Sequence, residues 1–98
     1  MVKVIINTYG SVNKDAGWNS QEVKLGKEKV TIEDVLRSAE LEDERTLFDL
    51  VAEENRLKES YAIFLTGRLL WNPVDLKMKI KSGDQLDILD FPFIAGGG

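Results

Sequence analysis

Apolar and polar residues alternate near both ends of the chain and recur with helical spacing near its middle. Val2-Lys3-Val4-Ile5-Ile6-Asn7 is rich in β-branched residues and partly alternates, which predicts a first strand. Tyr9 to Ser20 carries Gly10, Ser11, Asn13, Asp15, Gly17 and Asn19, and its chemistry is that of a loop. Gln21 to Leu25 reads as a second strand returning antiparallel to the first, followed by a turn over Gly26-Lys27-Glu28-Lys29. Thr31 stands three residues before Asp34, a relative of the capping box, and Ile32, Val35, Leu36 and Ala39 keep helical spacing behind it. Glu33 and Asp34 add negative charge to the first turn, where the helix dipole favours it. Leu47, Leu50 and Val51 predict a second helical stretch from Arg45 to Asn55.

In the second half, Tyr61 to Leu65 predicts a strand, Thr66-Gly67-Arg68 a tight turn, and Leu69-Leu70-Trp71 a short strand ended by Asn72-Pro73. Lys77, Lys79 and Lys81 alternate with Met78 and Ile80, which suggests an extended segment with its lysines outward. Ser82-Gly83-Asp84 is a turn, and Gln85 to Phe91 is the last strand, stopped by Pro92 because proline cannot donate to a ladder. A hairpin, then helices, then returning strands predicts an α+β fold. The expected form is a mixed sheet with one main helix and a second short helix packed on one face. Central pairing of the first and last strands would make them parallel, the β-grasp arrangement. The order alone also permits a split-βαβ layout. The expected organisation is one domain over 1–92 and a flexible tail over 93–98.

Composition removes whole classes of chemistry. The 98 residues suit a single compact domain with one modest core. The chain has no cysteine, which excludes disulfides, thiolate catalysis and Cys-based zinc sites. It has no histidine either, so the commonest general base and metal ligand are both missing. No metal site is expected; the acidic stretch Glu40-Leu41-Glu42-Asp43-Glu44 reads as a solvated face. A net charge of −4 lacks the electropositive footprint of non-specific nucleic-acid binding, so no nucleic-acid partner is expected. No apolar run approaches the roughly 18–20 residues of a membrane span. Met1 to Asn7 turns polar too soon for a signal peptide, and a cytoplasmic location is the expectation.

The sequence closes on Gly96-Gly97-Gly98. Glycine runs are also common in linkers and disordered termini. The functional reading rests on access. Without Cβ atoms, a glycine backbone passes through narrow channels and adopts φ values barred to other residues. From Phe93 onward the tail could reach roughly 20 Å at about 3.3 Å per residue, enough to enter another protein's active site. A carboxylate is a poor acyl donor until activated as an acyl-adenylate. The chain has no Gly-rich phosphate loop followed by Lys-Ser/Thr, so ATP chemistry must come from a partner.

Ser82-Gly83-Asp84-Gln85-Leu86-Asp87-Ile88, an aromatic-proline stretch and Ala95-Gly96-Gly97-Gly98 together resemble the C-terminal signature of the MoaD/ThiS sulfur carriers. Those are ubiquitin-like β-grasp proteins. Thr66-Gly67-Arg68-Leu69 also resembles the Asn-Gly-Arg turn of related modifiers. The resemblance is most specific from Ala62 to Gly98 and looser before it. It implies a carrier rather than an enzyme, with no cofactor of its own. An adenylating enzyme of the ubiquitin-activating type would use ATP and Mg to adenylate the carboxylate of Gly98, and a sulfurtransferase would convert it to a thiocarboxylate. In the MoaD branch the acceptor lies in the large catalytic subunit of molybdopterin synthase; in the ThiS branch it is the thiamine thiazole. In modifier branches the glycine joins lysines of target proteins or serves tRNA thiolation. The chain departs from the usual pattern in its third glycine, in the longer Asp90 to Ile94 approach, and in the Glu40 to Lys58 region, which exceeds a minimal ThiS. Length favours the MoaD-like or modifier-like branches.

Other residues carry two readings. Phe91, Phe93 and Ile94 either close the rim of the core or form a docking strip beside the tail. Leu86 and Ile88 share one face and are expected in the core; Leu89 and Phe91 share the other and are candidates for an exposed apolar patch. Arg68, Lys77, Lys79 and Lys81 could guide an acidic partner, although protection of an edge strand also explains the lysines. Trp18 and Trp71 are expected to be partly buried.

Overall fold

The computed structural model describes residues 1–71 and 73–90. In chain order the elements are β1 (Val2–Thr8), α1 (Gly10–Ala16), β2 (Ser20–Leu25), β3 (Val30–Thr31), α2 (Ile32–Ser38) and α3 (Leu47–Val51). Then follow β4 (Ala52–Glu53), β5 (Arg56–Leu57), β6 (Tyr61–Leu65), β7 (Arg68–Leu70), β8 (Lys79–Ile80) and β9 (Gln85–Asp90). The main sheet has five strands in the order β2-β1-β9-β6-β7.

β9 occupies the centre. It runs parallel to β1, with Ile6 opposite Leu86 and Thr8 opposite Ile88, and antiparallel to β6, with Ile63 opposite Ile88. Alternate residues therefore point to one face, where Val4, Ile6, Ile63, Leu86 and Ile88 are fully buried. Val12 and Ala16 of α1, Val35 and Leu36 of α2, and Leu47 and Val51 of α3 complete the same core. The parallel pairing requires a long crossover, and the elements between β2 and β8 supply it. This is the expected β-grasp arrangement, and it decides against the split-βαβ alternative.

The first and last strands, the β1–β2 hairpin and β6 stand where their alternation placed them. The N-terminus of α2 does too. Thr31 accepts from the Asp34 N–H at 3.2 Å, and the Asp34 carboxylate accepts from the Thr31 N–H at 3.0 Å. Thr46 and Asp49 repeat the same reciprocal cap on α3.

Other expectations need correction. The segment Tyr9 to Ser20 is not all loop, because it contains α1. Val12 and Ala16 are its only buried residues, and the glycines and polar residues around them hide the periodicity. Its stability comes from packing rather than propensity. Gly10, at φ 62, approaches β9 so closely that a Cβ there would overlap the Asp90 carboxylate. Gly17 closes the helix in the left-handed region at φ 87, and its N–H donates to the Asn13 carbonyl at 3.1 Å. The second helix spans Leu47–Val51 rather than Arg45 to Asn55. The chain leaves it into the β4–β5 hairpin, where Glu54 and Asn55 take positive φ values of 49° and 68°, as a two-residue hairpin turn demands. Between Val74 and Lys81 only Lys79–Ile80 is strand, paired with β3. Trp71 is 79% exposed rather than partly buried. Trp18 is half-buried against the core, and its indole N–H donates to the Glu40 carbonyl at 2.9 Å.

Two predictions follow from caps and close approach. The Thr46 N–H holds the Asp49 carboxyl below its ordinary range. For Asp34, burial pulls upward, but the Thr31 N–H, the Thr31 hydroxyl and the Lys27 ammonium outweigh it. A lowered folded-state pKa stabilises above the ordinary aspartate value of 3.8, and that contribution is lost as pH falls through the folded value. The thermal midpoint should therefore decline in acid below that value, and the Asp34→Asn/Asp49→Asn double variant should show a shallower decline there. Gly10→Ala should cost on the order of 1–2 kcal/mol through left-handed strain and the Asp90 overlap. In denaturant titrations Asp90→Ala should recover part of that loss. Strict additivity of the two substitutions would show that the close approach is unimportant.

Candidate functional site

The site residues selected from sequence fall into three groups. Phe91, Phe93, Ile94, Ala95, Gly96, Gly97 and Gly98 lie outside the described residues. Leu89 is on β9, one position before the strand ends at Asp90. Arg68 stands at the opposite end of the sheet.

β9 ends at a corner built with β6 and α1. Asp90 is opposite Tyr61 on β6 and beside the start of α1. Its carboxylate accepts from the Ser11 N–H at 3.3 Å, and the missing Cβ of Gly10 makes room for it. Two residues earlier, the Ile88 carbonyl accepts from the Tyr9 N–H at 3.0 Å. Burial raises the Tyr61 phenol above its ordinary range, and the Asp15 and Asp90 carboxylates push it further the same way. This corner fixes the end of β9.

Leu89 faces away from the core. The register pairs it with Ala62, and Phe64 pairs with both Asp87 and Leu69, so Leu89, Ala62, Phe64 and Leu69 share the outer face of the sheet. Trp71, two positions beyond Leu69, extends this apolar run into solvent. Across β9 the same face turns polar: Asp87 accepts from the Asn7 amide and from the Gln85 amide, each at 3.0 Å. The outer face is therefore divided, apolar over β6 and β7 and mostly polar over β1, where exposed Ile5 stands between Lys3 and Asn7. The sequence placed Leu89 on the face opposite Leu86 and Ile88, where it is half-buried; Phe91 lies outside the described residues. Phe64 and Leu69 were not singled out, because their cross-strand partners are unknown until the register is fixed, and Trp71 lies just beyond β7.

Arg68 does not join this corner. It pairs with Leu65, which pairs with Leu86, at the end of β9 remote from Asp90. Lys77 is engaged elsewhere: its ammonium meets Glu33 at 2.6 Å, and the same carboxylate binds Arg37 at 2.8 Å. The hydrogen bond from Lys77 and then that from Arg37 hold Glu33 below the usual carboxylate range. Among the described residues no group of His, Cys, Asp or Glu is arranged to hold a metal ion, and no helix is long and apolar enough to cross a membrane.

No protein-family model and no curated protein sequence matches the chain. Solved structures do. Small archaeal modifier protein 1 from Haloferax volcanii superposes with a TM-score of 0.71 at 16% identity, covering 91% of this chain and 94% of that one. A candidate molybdopterin converting factor, subunit 1, from Pyrococcus furiosus gives 0.66 at 20% identity, covering 92% and 98%. The small archaeal modifier protein 1 of Methanosarcina acetivorans gives 0.64 at 21% identity, covering 92% and 93%. The chain thus has the β-grasp fold that the small archaeal modifier proteins and the molybdopterin converting factor subunit share.

Proposed function

We propose that the chain is a sulfur carrier, the small subunit of a molybdopterin synthase acting in molybdenum or tungsten cofactor biosynthesis. The observation that carries this reading is the placement of β9. A central strand ends at Asp90 on a β-grasp domain, and the sequence then runs through Phe91-Pro92-Phe93-Ile94 to Ala95-Gly96-Gly97-Gly98. The group that reacts is the α-carboxylate of Gly98. One of its oxygens attacks the α-phosphorus of ATP and expels pyrophosphate, forming an acyl-adenylate. The terminal sulfur of a sulfurtransferase persulfide then adds at the carbonyl and expels AMP, and a thiol reductant cleaves the resulting acyl disulfide, leaving a thiocarboxylate and the sulfurtransferase thiol in a mixed disulfide with the reductant. ATP, Mg and the acid–base groups belong to the partners: an activating enzyme of the ubiquitin-activating type, then the large synthase subunit. The chain's own work is mechanical. Leu89, Phe64 and Leu69, which are half-buried, form with Phe91, Phe93 and Ile94 the docking strip that orients the glycines toward the partner's channel.

A second reading is a protein modifier whose terminal glycine is joined to lysines of target proteins. The similarity to two small archaeal modifier proteins favours it. Both readings use the same carboxylate and the same first activation, so they part only at the acceptor.

Incubation with a cognate activating enzyme, ATP, Mg and a sulfur source should replace one oxygen of the Gly98 carboxylate with sulfur, seen in the intact mass. No such product under conditions that form the adenylate would rule out the carrier. Intact mass of the protein from its own cells would establish whether Gly98 is its terminus, and glycine remnants on other proteins' lysines would select the modifier. Leu89→Asp and Leu69→Asp should each weaken binding of the activating enzyme by about tenfold or more, with the thermal midpoint little changed.

A further inference from the structure

The cations that the tail root does not use gather elsewhere. Arg68, Lys79 and Lys81 line an open groove together with Leu65, Met78 and Ile80. All three cationic residues are exposed, and none has a salt-bridge partner among the described residues. One carboxylate also lines the groove, that of Asp84, but it is committed to the turn. It accepts from the Thr66 hydroxyl at 3.0 Å and from the Lys81 N–H at 2.9 Å. Three unpaired cations against one committed anion leave the groove electropositive on a chain whose net charge is −4.

Its apolar residues narrow the choice of occupant. Leu65 and Met78 are half-buried and Ile80 is buried, so the groove offers hydrocarbon contact between its charges. A nucleic-acid backbone matches the charge but brings no aliphatic side chains, and acidic surface elsewhere on the chain opposes a long polyanion. A peptide alternating carboxylates with Leu- or Ile-like side chains matches both properties. Edge protection is a weaker account of these lysines, because β8 is only two residues long and β3 already pairs with it.

We propose that this groove is a docking site for an extended acidic-apolar segment of a partner protein, separate from the tail. It lies beside the start of β9, whereas the tail leaves from the strand's end. The six residues of β9 set these two places roughly 17 Å apart at about 3.3 Å per residue. Both can therefore be occupied together.

The test uses the full chain and a fluorescein-labelled peptide of alternating Glu and Leu, followed by anisotropy and by amide NMR. The peptide should bind, weaken with added salt, and shift amides of Leu65 to Arg68 and Met78 to Asp84. Lys79→Glu/Lys81→Glu should weaken binding by about tenfold or more. Lys14→Glu/Arg56→Glu, with the same change in net charge at other sites, should weaken it far less. NMR spectra of both double variants establish that each remains folded. A chain lacking Gly96, Gly97 and Gly98 should bind the peptide as well as the full chain does. Absence of binding, equal loss in the two double variants, or equally tight binding of a single-stranded oligonucleotide of matched charge would each overturn the proposal.

Discussion

Everything in this molecule hangs on the parallel pairing of β1 with β9. Residues about eighty positions apart in sequence meet there, and Val4 and Ile6 of β1 with Leu86 and Ile88 of β9 are sealed on one face. Parallel strands cannot be joined by a hairpin. The chain must cross over, and the crossover carries the helices onto the buried face. The pairing is also what puts the end of β9 against the start of α1, since β1 runs directly into that helix. Gly10, Ser11 and Asp90 meet for that reason and no other.

Burying one face of the sheet under the helices leaves the second facing outward. Its division into an apolar half and a polar half follows the register. Asp87 sits between Asn7 on β1 and Phe64 on β6, and it takes its hydrogen bonds from Asn7 and Gln85 rather than from the β6 side. The apolar half is thereby left without polar partners to satisfy, which makes it cheap to desolvate when another surface covers it. Clusters of small energetic weight become an interface when they are contiguous, and Leu89, Ala62, Phe64 and Leu69 are made contiguous only by cross-strand pairing.

The fold was largely legible wherever local pattern and tertiary environment agree. Val2 to Asn7, Tyr61 to Leu65 and Gln85 to Asp90 alternate because one face is buried, and Thr31 with Asp34 caps α2 through contacts three residues apart. Legibility failed where distant contacts decide. α1 has two core side chains and depends on β9 for its place, so its residues look like loop. α3 begins with a readable cap but stops early, because Glu54 and Asn55 adopt left-handed backbone that helical spacing cannot reveal. The site divided similarly. The glycine run and the Leu89 face could be read along the chain. The separation of Arg68 from the tail, and its company with Lys79 and Lys81, required knowing which ends of β6, β7 and β9 lie together.

The two ends of β9 show how one strand can serve two surfaces without coupling them. At its start, the Asp84 carboxylate ties the Lys81 backbone to the Thr66 hydroxyl, and that hydroxyl accepts in turn from the Gln85 N–H at 3.2 Å. Thr66 is held there at φ 47, an unfavourable value for a β-branched residue. Such a conformation persists only where its surroundings over-determine it. At its far end, Asp90 is fastened by the Ser11 N–H and by the space that Gly10 leaves. Each clamp uses a carboxylate, yet they share no residue, and the rigid, fully buried Leu86 and Ile88 lie between them. A carrier that hands its tail from one partner to another gains from this independence. For the proposed carrier, a contact at the remote end can hold one partner while another acts on Gly98, and neither event has to distort the strand between them.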